Sequence, residues 1–130
     1  MSDLGVIKPE LNIARLEVEI DSQRIVIEGK ALRLLEVAEE EERVAKDDVR
    51  AKAEVKALDD RLKKMDDGIE AKRALYRKHE FEHITKKNRL RLLELAEERE
   101  AIAADVAASE AHIAQLEAEA SQQNARLKER

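Results

Sequence analysis

An internal repeat in mirrored positions constrains this chain more than any other feature. Residues 31–45, ALRLLEVAEEEERVA, recur at 89–103 as RLRLLELAEEREAIA, with ten of fifteen positions identical. Further out, NIARLEVEI at 12–20 is echoed by HIAQLEAEA at 112–120. Both pairs are centred near residue 66 or 67, where Asp66-Asp67-Gly68 is a turn signal. A chain that reverses there lays each segment antiparallel against its own twin. The repeat therefore predicts an all-α fold: a long antiparallel helical hairpin, a two-helix coiled coil with pseudo-two-fold character.

Hydrophobic spacing supports the two arms. From Ile13 a heptad seam reads Ile13, Leu16, Ile20, Gln23, Ile27, Lys30, Leu34, Val37, Glu41, Val44, Asp48, Ala51, Val55, Leu58, Leu62 and Met65, twelve of sixteen apolar. The second arm uses another frame, Leu92, Leu95, Arg99, Ile102, Val106, Ser109, Ile113, Leu116, Ala120, Gln123 and Leu127, eight of eleven apolar. The frames differ by two residues, so one uninterrupted heptad cannot run through the chain. Leu90 and Leu93 also fit the first frame, which spreads the expected phase change between Ile69 and Leu90.

The expected organisation is a flexible N-terminal tail at 1–8 and a single helical hairpin at 9–130. Within the hairpin, arm 1 spans 9–65, the turn 66–68 and arm 2 69–130. Pro9 suits the first turn of a helix, where its missing N–H has no intrahelical partner. Lys63 and Lys64 suit a last turn, and Asp67-Gly68-Ile69-Glu70 resembles a capping box with Asp67 as N-cap and Glu70 at N3. Arms of this length are on the order of 85–90 Å at 1.5 Å per residue, which makes a rod. An antiparallel dimer of continuous helices satisfies the same mirror symmetry, because Gly68 inside a helix costs only about 1 kcal/mol relative to Ala. Residues 16–20 and 24–28 alternate like strands and end at Gly29, so a local β-hairpin competes there. The Ala-rich twin at 112–120 is a poor strand former and argues for helix.

Composition narrows the functional classes. Charged residues make up 42% of the 130, aromatic residues only 2%, and the net charge is −5. Such a chain builds helices and coiled coils rather than a broad globular core. Evenly spread apolar residues argue against disorder. Without cysteine there are no disulfides or thiolate metal sites. No apolar run approaches the roughly 20 residues of a membrane span, and the start has neither a basic n-region nor an apolar h-region, so the expectation is a cytoplasmic protein without membrane contact.

One motif carries catalytic meaning. His79-Glu80-Phe81-Glu82-His83 fits H-E-x-x-H, in which two histidines one helical turn apart ligate Zn²⁺ and the glutamate acts as general base. It resembles the zincin metalloproteases over five residues only. Lys86 and Arg89 stand where the metzincin pattern needs Gly and a third His, and His112 lies 29 residues past His83. The expectation is no enzyme, no cofactor and no metal; a zinc-binding H-E-x-x-H protein is a remote alternative.

Between Lys72 and Arg91 eight basic residues face two acidic ones, Glu80 and Glu82. Clustered Lys and Arg can bind phosphates, so a nucleic-acid-associated accessory protein using residues 72–91 is the alternative function. The favoured expectation is neutralisation by the other arm, with Lys86 and Lys87 opposite Asp48 and Asp47, and Arg91 opposite Arg43 beside the 39–42 glutamates. Tyr76, Phe81 and Ile84 form the bulky cluster near the turn, with Arg73, Arg77 and Lys78 beside them. These six are the candidate partner-binding residues, although burial as the closing plug of the seam suits the three apolar members better.

The WXG100 secreted family contains hairpins of similar length, but this chain lacks their Trp-x-Gly turn. Prefoldin subunits share long antiparallel arms, but no clear strand region interrupts this chain. Lys- and Glu-rich helical proteins of phage assembly are similar in composition only. The expected function is a non-enzymatic coiled-coil scaffold or adaptor working through helix-mediated protein–protein interaction, in a phage or other macromolecular assembly. Leu32, Leu35, Val49, Leu75 and Ile84 lie outside the seam and leave a second apolar stripe. That stripe favours a protein partner or a homo-oligomer, such as two hairpins paired into a four-helix bundle.

Overall fold

The computed structural model describes residues 2–129, with side chains from Lys8 onward. It contains two helices packed against each other, α1 (Ser2–Leu62) and α2 (Ile69–Lys128), and no strand among the described residues. The chain is an all-α helical hairpin. Residues 16–28 are helical, so the β alternative fails. Seam side chains at 13, 16, 20 and 27 gain burial on one helical face, which a strand would split between two faces.

Three boundaries differ from expectation. The backbone is helical from Ser2, where a tail was expected, and Pro9 lies inside α1. Proline forfeits one backbone hydrogen bond to the carbonyl four residues earlier, and this does not forbid helical dihedrals upstream. Met1 lies outside the described residues. At its other end α1 stops at Leu62, and the turn spans 63–68. The last turn tightens: Lys63 N–H donates to the Asp59 carbonyl at 3.2 Å, but Lys64 and Met65 donate three residues back, to Arg61 and Leu62. Such 3₁₀-type bonds satisfy carbonyls that a helix end leaves open. At the start of α2, Lys72 N–H donates to the Gly68 carbonyl at 3.0 Å, which makes Gly68 the N-cap instead of Asp67. Glu70 pairs with Arg73 at 3.1 Å rather than reaching back to close a capping box.

Seam burial accounts for the packing. All sixteen positions of the first frame are buried or half-buried. The second frame extends back through Asn88, Thr85, Phe81, Lys78 and Ala74 to Ala71, all at least half-buried, so the phase change is complete within the turn. Leu90 and Leu93, which fit the first frame by spacing, are each 59% exposed. The frame is hard to see in sequence because Lys78, Thr85 and Asn88 are polar. Each has a partner: Lys78 Nζ donates to Asp59 at 2.9 Å, Thr85 Oγ1 to the Glu82 carbonyl at 2.7 Å, and Asn88 Nδ2 to Asp47 at 3.0 Å. No buried side-chain polar atom among the described residues lacks a partner, as the cost of desolvating one requires.

The chain divides into two compact units. The terminal unit comprises residues up to Leu34 together with those from Glu100 onward, and the turn unit is Leu35–Arg99. In the terminal unit Arg24 pairs with Glu117 at 2.8 Å and Lys30 with Asp105 at 3.1 Å. In the turn unit Glu41 pairs with Arg99, Asp47 with Asn88 and Asp59 with Lys78. In each unit the partner on α2 falls in number as α1 advances, which is antiparallel order. The inner repeat supplies the deepest burial: its twin positions Val37 and Leu95 are both fully buried. Each such side chain contributes about 1.5–3 kcal/mol relative to exposure.

Candidate interaction surface

The six candidate residues do not form one cluster. Phe81 and Lys78 are seam residues, half-buried, and Ile84 is half-buried beside them. Tyr76 is 68% exposed and points away from the seam. Arg73 and Arg77 are exposed. Lys78 is held between Asp59 at 2.9 Å and Glu82 at 3.7 Å. Its hydrogen bond to Asp59 keeps the Asp59 carboxyl below the usual aspartate range and raises the Lys78 ammonium. That lysine is therefore committed to closing the hairpin.

Tyr76, Arg73 and Arg77 instead belong to a shallow depression of about 910 Å³ beside the turn, lined also by Asp67, Gly68, Ile69, Lys72 and Glu80. Apart from Asp67 and Gly68, its residues are spaced three, four or seven apart along α2, and so share one face. Ile69, 72% exposed, was missed by sequence reasoning, although it lies seven residues before Tyr76. A bulky apolar residue repeating at seven on the flank opposite a seam is the signal that finds it.

The basic stretch is only partly neutralised by α1: Arg91 meets the 39–42 glutamates as expected, whereas Asp47 and Asp48 take partners other than Lys87 and Lys86. Asp47 accepts from Asn88, and Asp48 pairs with Lys52 of its own helix at 2.8 Å. Arg91 makes a two-pronged contact with Glu40, its Nη2 donating to Oε1 at 2.9 Å and its Nε to the other oxygen. The Glu40 bond raises the Arg91 guanidinium. Glu40 takes this role because its carboxylate matches the planar fork of arginine. Lys72, Arg77, Lys86, Lys87 and Arg89 are exposed.

His79, Glu80 and His83 are exposed on α2. No group of three or more His, Cys, Asp or Glu able to hold a metal gathers among the described residues. The two histidines thus lack a neighbouring third ligand. No helix of the described residues is long and apolar enough to cross a membrane.

Of the expected second stripe, Leu32, Leu35 and Val49 are exposed at 61%, 66% and 70%, whereas Leu75 and Ile84 are half-buried and leave it. Leu11, Val18, Ile25, Leu90 and Leu93 join it. Compared with known proteins, the chain matches no family model, no curated protein and no solved structure.

Proposed function

We propose that this protein is a non-enzymatic helical scaffold or adaptor that works by packing its outward helix faces against other helices in a macromolecular assembly. The supporting observation is the division of apolar residues into two sets. One set closes the seam within the hairpin. The other, including Ile25, Val49, Ile69 and Tyr76, is exposed on the described surface, where large aliphatic and aromatic groups gain only by meeting a partner. Charged seam residues are matched within the hairpin and do not require one.

The nucleic-acid alternative rests on the exposed lysines and arginines of 72–91, and acidic neighbours dilute that footprint. A gel shift across a salt series separates the two. Binding that falls steeply with salt supports nucleic acid; its absence, together with association lost on replacing exposed leucines by glutamine, supports the scaffold. Solution mass by light scattering, with pull-down by the immobilised full chain, is the primary test. A monomer that captures nothing sinks the scaffold.

A further inference from the structure

Besides the seam, each helix carries an outward line at heptad spacing. On α1, Leu11, Val18, Ile25 and Leu32 are spaced by seven and are 45–72% exposed. Each lies two residues before a seam position, roughly 200° around the helix at 100° per residue. Moving 58 residues along, the offset of the inner repeat, gives Ile69, Tyr76, His83 and Leu90 on α2, all exposed. Both lines end seven residues later at a glutamate, Glu39 and Glu97. A line of 22 residues is about 33 Å of helix, three heptads of coiled-coil seam.

The residues three positions beyond each line carry the discrimination. On α1 they are Ala14, Asp21, Glu28 and Leu35; on α2 they are Lys72, His79, Lys86 and Leu93, all exposed. Positions 58 apart are thus opposite in charge at Glu28 with Lys86, and alike at Leu35 with Leu93. The chain already joins one such reversed twin: Glu41 and Arg99, the seam position at which the inner repeat changes charge, meet at 2.7 Å.

Resting on the scaffold reading, we propose that the occupant of the α1 line is a second copy of this chain, presenting its α2 line in parallel register. Leu11 then meets Ile69, Val18 meets Tyr76 and Leu32 meets Leu90, while Glu28 meets Lys86. The α1 line against itself gathers Asp21 and Glu28 from both copies, and the α2 line against itself gathers Lys72 and Lys86. An antiparallel register sets apolar residues against lysines. Like charges at these flanking positions select against the wrong pairings. The contact uses a different patch on each copy, Leu11 to Leu32 on one and Ile69 to Leu90 on the other.

The absence of cysteine gives a test without background. Full-length V18C mixed with Y76C under mild oxidation yields the mixed 18–76 disulfide in excess over 18–18 and 76–76. V18C mixed with K86C, which reports that antiparallel register, yields little. In sedimentation, the parent assembles beyond a monomer with rising concentration, E28K returns toward monomer, and E28K/K86E assembles again; helicity by circular dichroism stays constant because both sites are exposed. Dominant 18–18 or 18–86 products, or an unchanged mass in E28K, overturn the proposal. A monomer that still binds a helical partner through Val18 and Tyr76 overturns self-pairing alone. A monomer that binds nothing ends the scaffold reading with it.

Discussion

The turn unit has the more charged seam and yet the deeper burial. Its buried residues, Val37, Ala51, Leu58, Ala74 and Leu95, retain 0–4% exposure, whereas Ile13, Ile20, Ile102 and Leu116 of the terminal unit retain 7–9%. Aliphatic content does not explain this, because the terminal seam is rich in isoleucine. Two differences do. Ala51 and Ala74 bring little bulk to the seam and allow close approach, and in the turn unit two charged contacts cross it, Lys78–Asp59 and Glu41–Arg99. In the terminal unit one such contact, Lys30–Asp105, starts from the seam, and Arg24–Glu117 stands in solvent, where pairs are screened and weak. A two-helix seam is sealed by how completely each position is filled and matched as much as by how oily it is.

Cavity-forming substitutions should separate the units most. Leu95→Ala is expected to cost about 3–5 kcal/mol in urea unfolding and Leu116→Ala nearer 2 kcal/mol, within the range for leucine truncation. Equal costs would remove the distinction. Glycine provides the next contrast, because one substitution has opposite signs in the two units. Gly29, inside α1 with open space where a Cβ would stand, should gain about 1 kcal/mol in Tm-based stability as Gly29→Ala. Gly68 has equally open space and no left-handed backbone conformation, but it caps α2. Gly68→Ala should lose roughly 0.5 kcal/mol, and Gly68→Ser should gain a few tenths.

Ion pairs sharpen the comparison with smaller effects. Arg91→Ala should destabilise more than Arg24→Ala at low salt, and its effect should persist further into a sodium chloride titration, read by Cm. The Asp59–Lys78 pair gives a pH signature. Asp59 is depressed, so its stabilisation is complete above its unfolded pKa of about 3.9 and is lost as pH falls through the lower folded value. Lys78 is raised, so its stabilisation is complete below about 10.4 and is lost as pH rises through the higher folded value. Asp59→Asn should flatten the acid limb of stability against pH, and an unchanged acid limb would remove this pair from the seal.

Much of this was legible in residues. The twin leucines of 31–45 and 89–103, the turn at Gly68 and the seam from Ile13 to Met65 all follow from spacing, because a helix face repeats on a fixed period. Interruption defeated the same logic. Lys78, Thr85 and Asn88 hid the early part of the second frame, and Leu90 and Leu93 imitated the wrong one. Tyr76, Phe81 and Ile84 looked like one cluster because they are close in sequence, but they point to different sides of α2.

By itself the sequence determined that the chain is helical, where it reverses and which residues form most of the seam, since these depend on local preference and periodicity. Only the tertiary structure decided that Gly68 rather than Asp67 caps α2, that Glu40 rather than its neighbours holds Arg91, and which leucines stay in solvent. The last two outcomes depend on the rotation of one helix against the other. A rotation of a few tens of degrees exchanges buried for exposed positions without altering any local propensity.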